Sequence, residues 1–293
     1  MSAFGIMVVD KPEGPTSHGV VSIVRRGTGV RKVGHAGTLD PRASGVLVLC
    51  LGPATRLSEY LSSSIKLYEA KVRFGESTET YDAEGATTKS TGEAPTEAQV
   101  EAALEMFRGE IEQVPPPYSA IKLQGKKAYE LAREGKPVAL DPRKVTVYEL
   151  TKLDYDPPEL SIRVECSAGT YIRSLAHDLG ETLSTGAHLA ALRRLRAGPF
   201  GLEGAVTLDE LEKAMGRGEW QRWVRPAAEA LPDLPIVTVE EPDLERIRNG
   251  LRIPSSDGAA GMARALTPDG ELVAILVSAE DGQEWQPRKV FPS

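Results

Sequence analysis

The sequence predicts a globular fold that mixes β-strands with α-helices. The segment LYEAKVRFG (67–75) alternates apolar with charged residues, which is typical of a strand with one buried face. In that register Tyr68 points into the protein. The segment SIRVEC (161–166) alternates in the same way and predicts a second strand. Thr96 and Gln99 have the spacing of a capping box, which marks the start of a helix.

Apolar residues at helical spacing predict three helices along the chain. They are Val100, Ala103, Leu104 and Phe107 in the first, Ile172, Leu175, Ala176 and Leu179 in the second, and Leu208, Leu211 and Met215 in the third. The second helix would carry Tyr171 and Arg173 around its first turn. Thr207 and Glu210 form another capping box, which fixes the start of the third helix.

The C-terminal part follows a proline-rich stretch, RPAAEALPDLP (225–235), that predicts a linker. Beyond it the sequence predicts a short helix that ends near Gly250 and a hairpin that turns at Asp269 and Gly270. With 293 residues, 41% of them hydrophobic, the chain can form one large domain and a small one.

Cysteine usage and the N-terminal sequence predict a protein of the cytoplasm. Cys50 and Cys166 are the only cysteines, and each follows an apolar run, which favours core residues over a disulfide or a metal site. The first residues contain no basic leader followed by a long apolar stretch. No segment approaches the ~20 apolar residues of a membrane span, so neither export nor membrane insertion is predicted.

The charge distribution allows two interpretations. A formal net charge of −7 argues against a polyanionic partner, yet residues 122–144 contain seven basic and three acidic residues. Two further basic clusters are Arg25, Arg26, Arg31 and Lys32, and Arg193, Arg194 and Arg196. Such runs are usually solvated surfaces, but three of them on an acidic chain also suit a surface that follows nucleic-acid phosphates.

Asp40 lies within a stretch of small residues, GHAGTLDPRASG (34–45). An Asp before Pro commonly starts a turn, because the residue before proline avoids the helical conformation. The same surroundings suit a catalytic carboxylate, since glycines let a large ligand approach the backbone closely. From this stretch alone the turn is the more common meaning.

The usual metal and cofactor motifs are absent from the sequence. His18, His35, His177 and His188 lack the spacing of a metal-binding pair, and no glycine-rich phosphate loop follows a strand. The sequence also offers no second acid that would pair with Asp40 as a glycosidase requires. We therefore expect neither a metal nor a cofactor.

Five segments, in order, resemble the TruB family of tRNA pseudouridine synthases. They are DKPEGPTS (10–17), GHAGTLDPRASGVL (34–47), PPPYSAIKLQGKKAYELAREG (115–135), GTYIRSLAHDLG (169–180) and GAHLAALRRLRAGPF (186–200). The resemblance covers about residues 4 to 210 and implies isomerisation of the T-loop uridine of tRNA, position 55, to pseudouridine. That reaction needs no cofactor or metal. It implies that Asp40 is the catalytic aspartate.

The resemblance gives the lone carboxylate a chemical purpose. The uridine is expected to flip out of its stack, so that the bond from N1 to C1′ breaks, the uracil rotates, and C5 bonds to C1′. Asp40 either attacks C1′ or helps to form a glycal by removing a sugar proton, and both routes stay open. A buried anion needs a partner, which the resemblance assigns to Arg173.

The resemblance also implies a pocket for the flipped base. Tyr68 would be a catalytic residue that stacks on the base and transfers a proton, and Tyr171 would be a second base-lining tyrosine. Without the resemblance, Tyr68 would be a core tyrosine at the end of its strand. His35 would contact the extruded nucleotide, or else be an ordinary loop histidine. Leu192 would form an apolar wall, whereas ALRRLR alone predicts a leucine in the core of a helix.

The remaining predictions concern RNA binding. Lys11 and the pair Arg193 and Arg194 would contact phosphates, or else be solvated charges. The segment from about 115 to 145, which departs from the regular pattern, resembles the thumb insertion of stand-alone family members and includes Lys122. It implies direct recognition of the tRNA T-arm by a monomer without a guide RNA.

The resemblance completes the predicted architecture. It implies an α+β fold with a mixed twisted sheet, flanking helices and a thumb insertion. The catalytic domain would span residues 1–230. Residues 231–293 would form a small β-rich, PUA-like domain.

Overall fold

A computed structural model describes residues 4–123, 125–136, 138–255 and 258–292. Positions 124 and 137 of the predicted thumb lie outside this part. The chain divides into two compact units. The first contains the chain up to Pro41, residues 45–62 and the chain from Ala197 onward, and the second contains residues 42–44 and 63–196.

The strands are numbered in chain order. They are β1 Gly5–Lys11, β2 Val33–His35, β3 Ala43–Leu51, β4 Lys66–Phe74, β5 Glu76–Thr78, β6 Thr87–Ser90, β7 Gly109–Gln113, β8 Lys122–Leu123, β9 Lys126–Lys127, β10 Arg143–Asp156, β11 Glu159–Cys166, β12 Ala187–Ala197, β13 Phe200–Gly201, β14 Val206–Thr207, β15 Ile236–Thr238, β16 Ile253–Pro254, β17 Met262–Leu266, β18 Leu272–Ser278 and β19 Glu284–Val290.

The α-helices are α1 Ser17–Thr28, α2 Ser58–Ser62, α3 Glu97–Glu105, α4 Ala128–Arg133, α5 Ile172–Thr182, α6 Leu208–Gly216 and α7 Asp243–Arg248. Short 3₁₀ helices cover Gly52–Leu57, Leu202–Gly204, Trp220–Trp223 and Ala227–Ala230. None of the described helices is both long and apolar enough to cross a membrane.

In the first unit, β1 runs antiparallel to β3, with Gly5 opposite Leu51 and Lys11 opposite Gly45. Strand β14 pairs with β1 in parallel, and β2 pairs with β3. Most residues of β1 and β3 are buried, which agrees with their long apolar runs. Helix α1 lies so close to α6 that a Cβ on Gly27 would overlap the side chain of Met215.

The same unit contains a C-terminal sheet of five strands in the order β15-β17-β18-β19-β16. Strand β15 is parallel to β17, and the other pairs are antiparallel. The β17–β18 hairpin closes at Gly270, whose φ of 83° is a conformation that favours glycine, and the predicted turn is confirmed. After β19, the ring of Phe291 stacks on Phe4 with ring centroids 5.3 Å apart.

In the second unit, the strand order is β12-β4-β11-β10-β7, and the pairs from β4 to β7 are antiparallel. Residues 66, 68, 70, 72 and 74 of β4 are buried in alternation with less buried ones, which confirms the predicted register. Both capping boxes are confirmed, at the starts of α3 and α6. Helix α3 ends at Glu105, so Phe107, the last residue of the predicted apolar stripe, lies outside the helix.

Two local predictions from the sequence differ from the structure. The segment ALRRLR belongs to strand β12, so a helix there is wrong. Strand pairing in a buried sheet outweighs the helix propensity of Ala, Leu and Arg. The thumb segment contains regular structure, namely the β8–β9 hairpin and the helix α4. The predicted α+β class with a mixed sheet is confirmed.

Candidate active site

Asp40 lies in the loop that joins β2 to β3, and it is half-buried. Gly37 in this loop has a φ of 93° and Gly45 within β3 has a φ of 101°, which are conformations that other residues rarely adopt. His35, the last residue of β2, lies opposite Leu49 of β3.

Ser17 fixes the residue before Asp40. Its hydroxyl donates to the carbonyl of Leu39 at 2.9 Å and accepts from the amide of Leu39 at 2.8 Å. Thr16 caps helix α1 by accepting from the amide of Gly19, which places Ser17 at the first helical position. Ser17 and Leu39 are both buried, so these hydrogen bonds are shielded from water.

Lys11 and Gly14 fix the residue after Asp40. The amide of Gly14 donates to the carbonyl of Pro41 at 2.9 Å. The Lys11 ammonium donates to the carbonyls of Pro12, Pro15 and Pro41 at 2.8, 3.0 and 3.3 Å, and its side chain has no exposed surface. Both neighbours of Asp40 are therefore anchored by the segment DKPEGPTS (10–17). This burial rules out the solvated charge as an interpretation of Lys11, and the phosphate contact that the resemblance implies stays a prediction.

Arg173 is anchored at the start of α5 in the second unit. Its guanidinium donates to the Asp82 carboxylate at 3.4 Å, the Thr80 carbonyl at 3.2 Å and the Tyr118 carbonyl at 3.1 Å. The side chains of Arg173 and Asp82 are 8% and 14% exposed, so this is a buried ion pair. The pairing of Arg173 with Asp40 that the resemblance implies stays a prediction.

Sequence reasoning missed Asp82. The residue lies in an exposed-looking polar stretch, TYDAEG (80–85), and no spacing there predicts that it meets a helix about 90 residues later. The Asp82 carboxylate also accepts from the Thr80 hydroxyl at 2.6 Å and the Glu84 amide at 3.0 Å. These two contacts orient the Asp82 carboxylate toward the guanidinium of Arg173.

Tyr68 and Tyr171 lie in the same unit as Arg173. Tyr68 faces inward from β4, is 9% exposed, and lies opposite Val164 of β11. Tyr171 is the residue that precedes α5, and it is half-buried. The register predicted for Tyr68 and the position predicted for Tyr171 at the helix start are confirmed.

Strand β12 contains Leu192 and the basic residues that follow it. Leu192 is half-buried, and Arg193 donates to the Ser44 hydroxyl at 3.4 Å. Arg194 is 1% exposed, so it is not a solvated charge. Burial and the charge of Arg194 lower the pKa of Lys66, the first residue of β4, to about 8. Lys66 and Arg194 are therefore both basic residues in the interior of the second unit, as Arg173 is.

The rings of Tyr81 and of His177 in α5 stack on one another. The two rings lie 3.8 Å apart and are nearly parallel. Burial lowers the pKa of His177. Burial and the neighbouring Glu181 raise the pKa of Asp178 to about 6.

The thumb presents cations around one aromatic ring. Lys122 is exposed on β8. The charged groups of Lys127 and Arg133 lie 5.4 and 5.5 Å from the ring centroid of Tyr129. Glu134 pairs with Lys126 and Lys136, which reduces the excess of positive charge at this point.

The predicted site residues are divided between the units. Asp40, His35 and Lys11 belong to the first unit, and Tyr68, Tyr171, Arg173, Leu192 and Lys122 belong to the second. In the part of the chain that the structure describes, no group of three His, Cys, Asp or Glu residues could hold a metal ion.

Family models cover nearly the whole chain. The model of the TruB family pseudouridylate synthase N-terminal domain matches residues 25–172, which is more than half of the 293 residues. The chain belongs to the TruB family. A tRNA pseudouridylate synthase B C-terminal domain matches residues 173–231, and a tRNA pseudouridine synthase II C-terminal domain matches residues 234–292.

Curated relatives agree with this membership of the TruB family. The chain is 49% identical over 276 residues to a tRNA pseudouridine synthase B of Solibacter usitatus, covering 92% of this chain and 94% of the relative. It is 46% identical over 299 residues to the tRNA pseudouridine synthase B of Thermobifida fusca, covering 99% of both chains. The chain is accordingly a pseudouridine synthase, an isomerase.

Solved structures give the same fold. A chain of a Cbf5-Nop10-Gar1 complex matches with a TM-score of 0.77 and 29% identity, covering 99% of this chain and 85% of that chain. A chain of an H/ACA RNP bound to a substrate RNA matches with a TM-score of 0.76 and 27% identity, covering 99% and 86%. The predicted pseudouridine-synthase core and the PUA-like C-terminal domain are confirmed at the level of fold.

Proposed function

We propose that the isomerisation of uridine 55 in tRNA to pseudouridine takes place at Asp40. The observation that carries this assignment is the anchoring of Leu39 and Pro41, the residues on either side of Asp40, by the buried side chains of Ser17 and Lys11. An ordinary surface turn does not need two buried clamps. A carboxylate that acts on one sugar carbon or its proton must be held in a fixed position, because a small displacement of the catalytic group lowers the rate by a large factor.

The reaction is an internal rearrangement that needs no second substrate. The N1–C1′ bond breaks, a C5–C1′ bond forms, the proton on C5 is released, and N1 takes up a proton. A base within a stacked tRNA loop is not accessible to such chemistry, so the nucleotide must flip out. Asp40 acts on the sugar, either by attack on C1′ or by removal of a sugar proton that leads to a glycal.

Arg173 and the two tyrosines are proposed to act on the same nucleotide. Asp82 and two backbone carbonyls hold the guanidinium of Arg173 in one orientation, which suits a residue that stabilises an anion during the reaction. Tyr68 would stack on the flipped uracil, and its inward register on β4 supports this. Tyr171, His35 and Leu192 are proposed to complete the surroundings of the nucleotide, as the resemblance implies.

Lys11 is proposed to position the catalytic loop. Its ammonium is fully buried and is engaged by three carbonyls of the first unit, so its charge serves the loop that carries Asp40. Contact with RNA phosphates is proposed for the exposed Lys122 and its neighbours on the thumb.

The substrate and domain predictions extend this proposal. The thumb supports direct binding of the tRNA T-arm without a guide RNA, and we propose that the protein acts as a monomer. Free, buried Cys50 and Cys166 suit a reducing compartment, which supports action in the cytoplasm. We propose residues 1–230 as the catalytic domain and residues 231–293 as the PUA-like RNA-binding domain, which the family matches on either side of residue 232 support.

One assay tests the proposed function against two others. The protein is incubated with tRNA transcript that carries tritium at C5 of uracil, and the products are digested to nucleosides. We expect tritium in the solvent and pseudouridine in the RNA. A protein that only binds RNA would release no tritium, and a hydrolase would release free uracil. Either of these results would refute the proposal.

A further inference from the structure

The start of α5 is attached to the segment that leads from β7 into the thumb. Gln113 is the last residue of β7, and its backbone pairs with Arg143 of β10. Its side chain is 2% exposed. The side-chain nitrogen donates to the carbonyl of Tyr171 at 3.1 Å, and the side-chain oxygen accepts from the amide of Tyr171 at 2.8 Å.

This pairing engages both backbone groups of Tyr171, whose carbonyl also accepts from the amide of Leu175 at 3.1 Å. Tyr171 precedes the first helical residue, where backbone amides have no partner within the helix. No side chain of Tyr171 itself caps the helix. The amide group of Gln113 therefore substitutes for a cap and fixes the backbone of Tyr171 in two directions.

The next residues of the segment hold the following residues of α5. The Ser174 hydroxyl, which is fully buried, donates to the carbonyl of Val114 at 2.7 Å. The carbonyl of Tyr118 accepts from Arg173. The segment from Gln113 to Tyr118 thus contacts three residues in the first turn of α5, namely Tyr171, Arg173 and Ser174.

We propose that Gln113 is a positioning residue of the enzyme, which sets the backbone of Tyr171 and through it the reach of Arg173. This inference rests on the proposed function, because Tyr171 and Arg173 are assigned there to the flipped nucleotide. Gln113 acts through its carboxamide, which is both a donor and an acceptor. Its replacement should therefore affect the rate of the chemical step more than the binding of tRNA.

Three variants test the role of the carboxamide. Gln113→Met keeps the length of the side chain and removes both hydrogen bonds. Gln113→Glu keeps the acceptor for the Tyr171 amide, but it can donate to the Tyr171 carbonyl only when the carboxyl is protonated. Gln99→Met is the matched control, because the exposed Gln99 also makes two hydrogen bonds at a helix start, to Thr96.

Single-turnover tritium release and tRNA binding are measured at a temperature at which all variants are folded by circular dichroism. We expect Gln113→Met to lose on the order of 10²-fold in rate, as a displaced catalytic group does. Its Kd for tRNA should stay within about threefold of the wild-type value. Gln99→Met should keep the wild-type rate.

The pH dependence of the glutamate variant separates a positioning role of Gln113 from a purely structural one. Its rate relative to wild type should rise as the pH falls from about 8 to about 5, because the protonated carboxyl restores the donor. A wild-type rate for Gln113→Met, or a slow Gln113→Glu variant whose rate relative to wild type does not change with pH, would overturn the role of Gln113. This pH test also holds if Gln113→Met fails to fold.

A separate variant distinguishes failure of this inference from failure of the proposed function. Tyr171→Leu removes the ring that is assigned to the base. If Tyr171→Leu reacts at the wild-type rate, Tyr171 does not act on the flipped base. The proposed role of Gln113 is then wrong as well. If Tyr171→Leu is slow and Gln113→Met is not, only the inference about Gln113 is wrong.

Discussion

The loop that carries Asp40 and the first turn of α5 are both held by buried hydrogen bonds, but their partners lie at different distances along the chain. Leu39 is held by Ser17, 22 residues away, and Pro41 by Lys11, 30 residues away. The partners of α5 lie 55 to 93 residues from it. The Asp40 loop is thus anchored by one nearby segment, whereas α5 is anchored by two distant ones.

The greater separation of the α5 contacts along the chain affects both their free energy and their dependence on the rest of the fold. The entropic cost of closing a loop grows only slowly with its length, so the distant contacts at α5 are not greatly disfavoured. They do require that β7 and the segment around Asp82 are already in place. We therefore expect the geometry at Arg173 to depend on more of the fold than the geometry at Asp40.

Among variants of the anchoring contacts, the largest effect is expected at the buried ion pair of α5. Arg173→Lys keeps a positive charge but cannot donate to Asp82, Thr80 and Tyr118 together. We expect single-turnover tritium release to fall by about 10²–10³-fold. Arg163→Lys is the control, because its pair with Glu69 is exposed, and it should react normally.

Equal rates for Arg173→Lys and Arg163→Lys would contradict the expected importance of the α5 contacts. That result would mean that the anchoring of the guanidinium by Asp82 contributes nothing to the reaction. Melting temperatures of both variants would show whether any loss of rate reflects unfolding.

A smaller effect is expected at the Asp40 loop from the loss of one clamp. Ser17→Ala removes both hydrogen bonds to Leu39 and leaves two buried backbone groups without them. Each unsatisfied group costs about 1–3 kcal/mol, so the free energy of unfolding should fall measurably. Because Lys11 and Gly14 still hold Pro41, we expect the rate to fall by only about 10-fold.

Ser58→Ala is the matched control for Ser17→Ala. Its hydroxyl donates to the carbonyl of Thr55 at 2.7 Å in a half-buried position of the same unit. The single-turnover rate of Ser58→Ala should equal that of the wild type. An equal loss of rate in both variants would show that the effect of Ser17 is not specific to the Asp40 loop.

The smallest effect is expected from Asp178 and concerns stability. Its pKa is raised to about 6, so the unfolded chain ionises before the folded protein does as the pH rises. Stability should therefore fall as the pH increases from about 4 to about 6 and stay reduced above that range. Asp178→Asn should be more stable than wild type at neutral pH by ~1 kcal/mol, a value reduced for partial exposure.

Denaturant unfolding at about pH 8 and about pH 4 measures this difference for Asp178→Asn. The gain should be much smaller at the lower pH, where the wild-type carboxyl is protonated in the folded protein and about half protonated in the unfolded chain. Asp154→Asn, at an exposed position of β10, is the control. A gain of the same size at both pH values would argue against an ionisation of Asp178.

The fold could be predicted well where the signal lies within one element. The alternation around Tyr68 and the capping boxes at Thr96 and Thr207 depend on neighbouring residues, and the structure confirms them. Strand β12 could not be recognised in ALRRLR, because its buried Arg194 has the pattern of a solvated charge in the sequence.

The candidate site was predictable to a similar extent. Asp40 and Arg173 are recognisable from short motifs that resemble a family. Their supports are not recognisable, because Ser17 and Lys11 have no spacing that predicts contact with Leu39 and Pro41. Asp82 and Gln113 meet α5 only through the tertiary fold. A buried polar contact between distant segments leaves no periodic trace in the sequence.

The most direct test of the account replaces the carboxylate of Asp40 and leaves its clamps intact. Asp40→Asn keeps the size of the side chain and the contacts of Leu39 and Pro41 with Ser17 and Lys11. The measurement is single-turnover tritium release from C5-labelled tRNA, with tRNA binding determined in parallel. We predict a loss of at least ~10⁴-fold in rate with a Kd within about threefold of wild type. Tritium release by Asp40→Asn at a rate near that of the wild type would contradict the central role of Asp40.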